Sequence, residues 1–366
     1  MIVKIVSAMI LMMGIFPFSF LHFFSGKFKT STGPIAPALY VFGDSLFDSG
    51  NNNFIPTFAK SDYLPYGIDF EHGVTGRFTN ARTVADFIAE YLGLPYPPPY
   101  LSKRELGALT GLNYASGSCG ILPETGSKLG KCLNLKDQIV LFKSTIELEL
   151  ERKFKNRDEF SDYLSKSIFI FSIGNNDYMN NYLEKKPEER KEDPQTFAQH
   201  LVDKLAIQFE RLYDLGARKV VMFELGPIGC LPSITRKKDH NGESQCDEEV
   251  NEMIIDFNQR LGVMLKNLTS SLKGSTFVLG HANWLGYDAI KNPSKYGLTD
   301  TSNPCCETWK NGTSGCIPFT KPCKERNSHY FFDAFHLTET VCSAIASRCF
   351  DDSSVCSPFI KQLVQT

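Results

Sequence analysis

The chain is 366 residues long, with 39 basic and 41 acidic side chains, a formal charge of −2, and 42% hydrophobic against 22% charged residues. That composition is ordinary for a globular protein, and the near-balance of charge supplies no field to draw the chain to nucleic acid or an anionic membrane. A small neutral or apolar substrate fits better. Length alone suggests about two domains, although α/β folds exceed that prior.

Residues Ile5 to Phe24 are almost purely apolar, follow Lys4 and precede Ser25-Gly26, the plan of a secretory signal peptide. We expect a leader over residues 1–26, removed near residues 25 to 33. The competing reading is a retained anchor, since the run approaches the ~20 residues that span a bilayer. Pro17 interrupts it, however, and Ser19, His22 and Ser25 polarise its end. No repeat, heptad or low-complexity tract follows, so one domain over residues 34–360 is expected.

Within that span, apolar runs rich in β-formers occur at Ala38–Phe42, Leu112–Ala115, Ser167–Ile173, Lys219–Glu224 and Ser275–Leu279. Between them lie helical patterns over Ala81–Leu92, Leu135–Lys153, Pro194–Leu215 and Cys246–Ser271, and the proline cluster Pro95 to Pro99 reads as an extended surface connection. The alternation predicts βαβ units, a central and mostly parallel sheet of five strands, and helices on both faces. Ligands of such sheets bind beyond the carboxyl ends of the strands.

Gly43-Asp44-Ser45-Leu46 stands at such an end, directly after the first run, and Asp333-Ala334-Phe335-His336 lies near the other terminus. A serine hydroxyl is a poor nucleophile until a base takes its proton, and the base needs a third group to hold its tautomer. Taken alone, Gly-Asp-Ser reads equally as a turn with an Asx cap. His329 would compete with His336 as the base on the same footing. No G-x-S-x-G elbow occurs in the chain.

Eleven cysteines lie beyond the leader, at positions 119, 132, 230, 246, 305, 306, 316, 323, 342, 349 and 356. A secretory route predicts that most are bridged, with at least one left over. The cluster Cys305, Cys306, Cys316, Cys323 lacks the paired C-x₂-C spacing of a zinc site, so disulfides are expected there. Asn267-Leu268-Thr269 and Asn311-Gly312-Thr313 are N-glycosylation sequons.

Four blocks in order resemble the plant branch of the GDSL esterase and lipase family, the SGNH hydrolases. They are Val41-Phe42-Gly43-Asp44-Ser45-Leu46-Phe47-Asp48-Ser49-Gly50-Asn51-Asn52, Gly111-Leu112-Asn113-Tyr114-Ala115-Ser116-Gly117-Ser118-Cys119-Gly120, Gly174-Asn175-Asn176-Asp177 and Asp333-Ala334-Phe335-His336. The segment Gly226-Pro227-Ile228-Gly229-Cys230-Leu231-Pro232 adds to the likeness. The resemblance implies a flavodoxin-like three-layer α/β/α fold and a secreted esterase or lipase, in plants of the cell wall or apoplast, working without metal or cofactor. It makes Ser45 the nucleophile, His336 the base and Asp333 the orienting carboxylate. The oxyanion hole it implies comprises the Ser45 N–H, a second-block N–H assigned to Gly117 with Ser118 as the alternative, and the Asn176 amide.

The chain departs from the family pattern at Gly117-Ser118, where two glycines are usual, and at Leu337, where proline often follows the histidine. Neither change removes a reacting atom. Asp44, Asp48, Asn51 and Asn52 are read as loop formers rather than metal ligands, and Tyr63, Tyr66, Phe70 and Phe78 as packing residues first and pocket walls second. Two other functions remain open to the same motifs: an acyltransferase using the same acyl-enzyme, and a secreted binding protein that keeps the fold without catalysis.

Overall fold

The computed structural model describes residues 33–102, 108–238 and 246–366; the expected leader over residues 1–26 lies outside them. Residues Pro34–Thr366 form one compact unit. Its centre is a parallel sheet of β1 (Leu39–Gly43), β2 (Ile168–Ser172), β3 (Lys219–Phe223) and β4 (Thr276–Gly280), hydrogen-bonded in that order. Every residue of β1, β2 and β3 is buried, as expected where helices cover both faces of a sheet.

Because side chains alternate along a strand, each face presents its own set. Tyr40, Phe42, Phe169, Phe171, Val220 and Met222 point to one layer, packed on the helices Leu135–Thr145, Pro194–Asp214 and Glu248–Ser271. Leu39, Val41, Ile168, Ile170, Val221 and Phe223 point to the other, packed on the helices Val84–Leu92, Ala282–Lys291 and Glu339–Asp351. Three layers result. Phe171, Phe42 and Tyr114 stack in a row, with ring centroids 4.6 and 5.0 Å apart.

The expected fifth strand is reduced to an edge segment. Leu112–Ala115 runs parallel to β1 through a bridge between Val41 and Asn113, and the Val41 N–H donates to Leu112 at 2.9 Å while the Tyr114 N–H donates to Val41 at 2.7 Å. Its outer carbonyls go elsewhere: Asn113 accepts from the Tyr100 N–H and, with Ala115, from the Asn51 amide. Side chains and the proline-rich segment thus replace the regular ladder that a strand needs. With this edge counted second in chain order, the sheet reads 2-1-3-4-5, the flavodoxin-like order.

The long helix expected over Leu135–Lys153 is α-helical to Thr145 and then continues as a π turn, Ile146–Leu150, and a 3₁₀ turn, Glu151–Lys153. A second, two-stranded parallel sheet pairs β5 (Asp300–Pro304) with β6 (His329–Phe331). Five disulfides join Cys119–Cys132, Cys230–Cys246, Cys305–Cys323, Cys306–Cys316 and Cys349–Cys356, leaving Cys342 as the buried free thiol. Cysteines so bonded offer no thiolate to zinc, although Cys323 Sγ lies 3.5 Å from His329 Nδ1. No helix among the described residues is long and apolar enough to cross a membrane.

Candidate active site

The site lies beyond the carboxyl ends of β1 and β2, where the chain order switches direction across the sheet and a crevice opens. Gly43 ends β1 with φ +153°, and a Cβ there would sit 2.3 Å from the Ser172 carbonyl oxygen, so the two strand ends approach this closely only with glycine. The Asp44 N–H donates to Ser172 at 2.9 Å, and the buried Gln138 amide grips Gly43 from both sides, accepting its N–H and donating to its carbonyl at 2.8 Å each. The Asp44 carboxylate then accepts the Leu46 N–H at 3.0 Å. These bonds fix the turn on which Ser45 stands, half-buried at the crevice floor.

Ser45, His336 and Asp333 form a continuous chain. Ser45 Oγ lies 2.8 Å from His336 Nε2, and His336 Nδ1 lies 2.7 and 2.9 Å from the two Asp333 oxygens. Asp333 is fully buried and accepts the N–H groups of Phe335 and His336 at 2.8 Å each, so the Asp-x-x-His turn aims its own carboxylate. Burial alone would raise its pKa, but His336 and these donors outweigh burial and hold it below the usual carboxylate range. An ionised carboxylate on Nδ1 presents the other ring nitrogen as a proton acceptor toward Ser45.

Tyr66 supplies a further donor that the sequence did not mark: its hydroxyl gives a hydrogen bond to Asp333 at 2.5 Å and accepts the Cys316 N–H at 3.1 Å. Phe78 packs its ring 5.0 Å from the His336 ring. Tyr63 and Phe78 also border the open side of the site, whereas Phe70 packs against Arg77 away from it. His329 sits in β6 beside Cys323 and 3.8 Å from Asp300, remote from Ser45 in its contacts.

Three segments are expected to supply donors for an oxyanion. The Ser45 N–H makes no hydrogen bond among the described residues. Asn176, in the turn after β2, donates one amide hydrogen to the Cys119 carbonyl at 3.0 Å and accepts from Asn180 at 2.8 Å, which leaves its second amide hydrogen for the crevice. The N–H of Gly117, the expected second-block donor, is directed to Asp48 at 3.0 Å instead of the crevice. Ser118, at φ +67°, is the second-block residue that lines the crevice with Ser45 and Asn176.

Three buried carboxylates frame this loop system. Asp48 accepts the N–H groups of Gly50, Asn51 and Gly117, and Asp177 accepts those of Ile121 and Leu122 and the Thr125 hydroxyl. Gly120 must lack a side chain, since a Cβ would meet Asp177 at 2.4 Å. Burial pushes Asp44, Asp48 and Asp177 each up to about 6 against the pull of these donors. All three find hydrogen-bond partners within the protein.

Two cavities of different character meet at Ser45, Asn176 and His336. One, of about 80 Å³, is apolar, walled by Phe47, Met179, Phe223, Leu231, Phe335 and Ile345, with the free Cys342 on its lining. Burial pushes that thiol far up. The other, of about 410 Å³, is mixed, with Tyr63, Phe78, Met179 and Trp309 beside Lys60, Lys128, Lys237 and Lys310. Asn267 and Asn311, the sequon residues, are exposed.

A family model described as GDSL-like lipase/acylhydrolase matches residues 39–349. GDSL esterase/lipase 7 of Arabidopsis thaliana is 46% identical over 326 residues, covering 88% of this chain and 89% of the relative. Another Arabidopsis thaliana GDSL esterase/lipase is 41% identical over 333 residues, covering 90% and 86%. Among solved structures, a mutant acetyl-xylooligosaccharide esterase from Geobacillus aligns with a TM-score of 0.33 and 11% identity over 70% of this chain and 80% of that one, too slight a likeness to carry an argument.

Proposed function

The chain belongs to the GDSL-like lipase/acylhydrolase family, and from that premise we propose that it is a secreted carboxylic ester hydrolase working through Ser45, His336 and Asp333. The observation that carries the reading is the unbroken hydrogen-bonded path from Ser45 Oγ through both His336 nitrogens to the buried Asp333. Ser45 Oγ attacks the ester carbonyl as His336 Nε2 takes its proton. The Ser45 N–H, the free amide hydrogen of Asn176 and the Ser118 N–H receive the developing oxyanion. His336 then gives its proton to the leaving alkoxide, and water enters by the reverse path to release the acid.

The remaining parts of the reading follow the sequence. Residues 1–26 act as a cleaved leader, residues 34–360 form the single catalytic domain, and Asn267 and Asn311 carry glycans, consistent with their exposure and with five disulfides. An acyl-enzyme of this kind also accepts alcohols in place of water, so product analysis with an added acceptor measures the partition between hydrolase and transferase.

The test is hydrolysis of p-nitrophenyl esters from acetate to palmitate by the secreted protein beside Ser45→Ala and His336→Ala. Loss of turnover in both variants, with unchanged thermal unfolding, is expected. Retained turnover in Ser45→Ala overturns the assignment.

A further inference from the structure

The two cavities that meet at Ser45 differ in more than size. The smaller one offers few polar groups beyond those at its mouth beside Ser45. The larger one is edged by four lysines against a single exposed carboxylate, Glu184, since its other carboxylate, Asp333, is buried against His336. Lys128 pairs with Glu184 at 2.6 Å and Lys60 lies 3.9 Å from Asp62, while Lys237 and Lys310 have no carboxylate partner among the described residues. The cleft that Ser45 borders therefore carries an excess of positive charge, although the chain as a whole is slightly acidic.

Resting on the esterase reading above, we infer that the substrate is an acyl ester of an anionic, hydroxyl-bearing alcohol: the acyl chain enters the apolar crevice and the negatively charged alcohol part lies in the lysine-edged cleft. The chemistry assigns the two halves. An acyl chain is stabilised by leaving water, at roughly 0.8 kcal/mol per buried methylene, and the first cavity is walled almost wholly by apolar groups, whereas the second mixes aromatic and aliphatic side chains with lysines and amides. The leaving alkoxide must receive the His336 proton; His336 borders both cavities, and the larger one alone has the width and the charged and amide side chains to hold a hydroxylated alcohol part beside it. Trp309 and Phe58 stand 53% and 88% exposed on the same cleft, offering ring faces to the C–H edges of a polyol. A phosphate and a carboxylate both meet this charge requirement.

The test compares matched pairs with wild-type protein: octanoyl glycerophosphate against monooctanoylglycerol, and an acylated uronate against the equivalent neutral hexose ester. Two uncompensated charges several ångströms from the anion predict a preference in kcat/KM of about fivefold for the anionic member at about 20 mM salt. That preference is expected to fall toward unity at about 0.5 M salt, and to vanish in Lys237→Glu/Lys310→Glu while p-nitrophenyl butyrate hydrolysis is unchanged. Preference in the first pair identifies a phosphate and in the second a carboxylate. Equal rates within both pairs at low salt, or a preference that survives the double charge reversal, overturn the inference. If p-nitrophenyl butyrate is not hydrolysed, or is still hydrolysed by Ser45→Ala, the esterase reading itself has failed.

Discussion

The Tyr66 hydroxyl donates to Asp333 at 2.5 Å across 267 residues of sequence, with both groups out of contact with water. Tyr66 accepts the Cys316 N–H in turn, so the disulfide loop Cys306–Cys316 is anchored through one phenol to the carboxylate behind His336. Burial and the Asp333 charge hold this phenol protonated, well above its ordinary pKa, and it can only donate to the carboxylate.

Tyr66→Phe removes one donor from a buried carboxylate and leaves the ring packing with Phe78 and Phe332 intact. A hydrogen bond to a charged group is worth about 1.5–3 kcal/mol. The less-stabilised carboxylate attracts the imidazolium more strongly, so the acidic limb of the kcat/KM profile is expected to move up by about one pH unit. A profile that merely scales down, with the limb in place, would reduce Tyr66 to a packing residue.

Asn180 fixes the amide of Asn176 by donating to its oxygen at 2.8 Å. Asn176→Ala is expected to lower kcat by about 10²–10³, the usual loss for one oxyanion donor. Asn180→Ala leaves the donor present but free to turn, and a loss of about three- to tenfold in kcat with KM unchanged is expected, corresponding to roughly 1 kcal/mol. Single-turnover kinetics on a short-chain ester separate these from binding effects.

Asp44, Asp48 and Asp177 titrate near 6 in the folded chain against 3.8 for the free side chain. The folded state binds these protons more tightly, so the stability the groups contribute is complete below about pH 4 and is lost as pH rises through 6. Asp333 acts in the opposite sense, because its depressed pKa withdraws stability as the pH falls below the ordinary carboxylate range. The melting temperature is expected to be higher near pH 5 than near pH 8. A maximum at or above pH 8 in a differential scanning series would refute this balance.

Cys342 is the unpaired thiol among eleven cysteines and is buried on the wall of the apolar cavity. A thiol-specific reagent is expected to find no reactive group in the native chain and one after denaturation without reductant. Cys342→Phe fills part of that wall and is expected to lower activity on decanoate and longer p-nitrophenyl esters severalfold while sparing acetate, an effect of overpacking. Equal losses across the series would place the acyl chain elsewhere.

Much of this architecture was legible in the sequence where one physical signal dominated. The runs Ser167–Ile173 and Lys219–Glu224 are continuous because their strands are buried on both faces, and the four long helices carry clear periodicity. The Leu112–Ala115 run was harder: its composition is that of a strand, but Asn51 and Tyr100 decide its outer bonds, and neither is local. The helix Arg157–Lys166 passed unnoticed because it buries only Tyr163 and Leu164. In the site, Ser45, Asn176, Asp333 and His336 stood out by motif. Gly117 misled because a motif names a residue and not the direction of its N–H, which Asp48 sets from 69 positions away. Tyr66 looked like any packing aromatic for the same reason.

Ser45 and His336 meet across 291 residues. A ribosome therefore delivers Ser45 long before His336, and a chain that ends before residue 336 has the hydroxyl without the imidazole that the proposed reaction needs. Loss of the last tenth of the molecule takes His336 with it, so on the proposed mechanism activity waits on completion of synthesis.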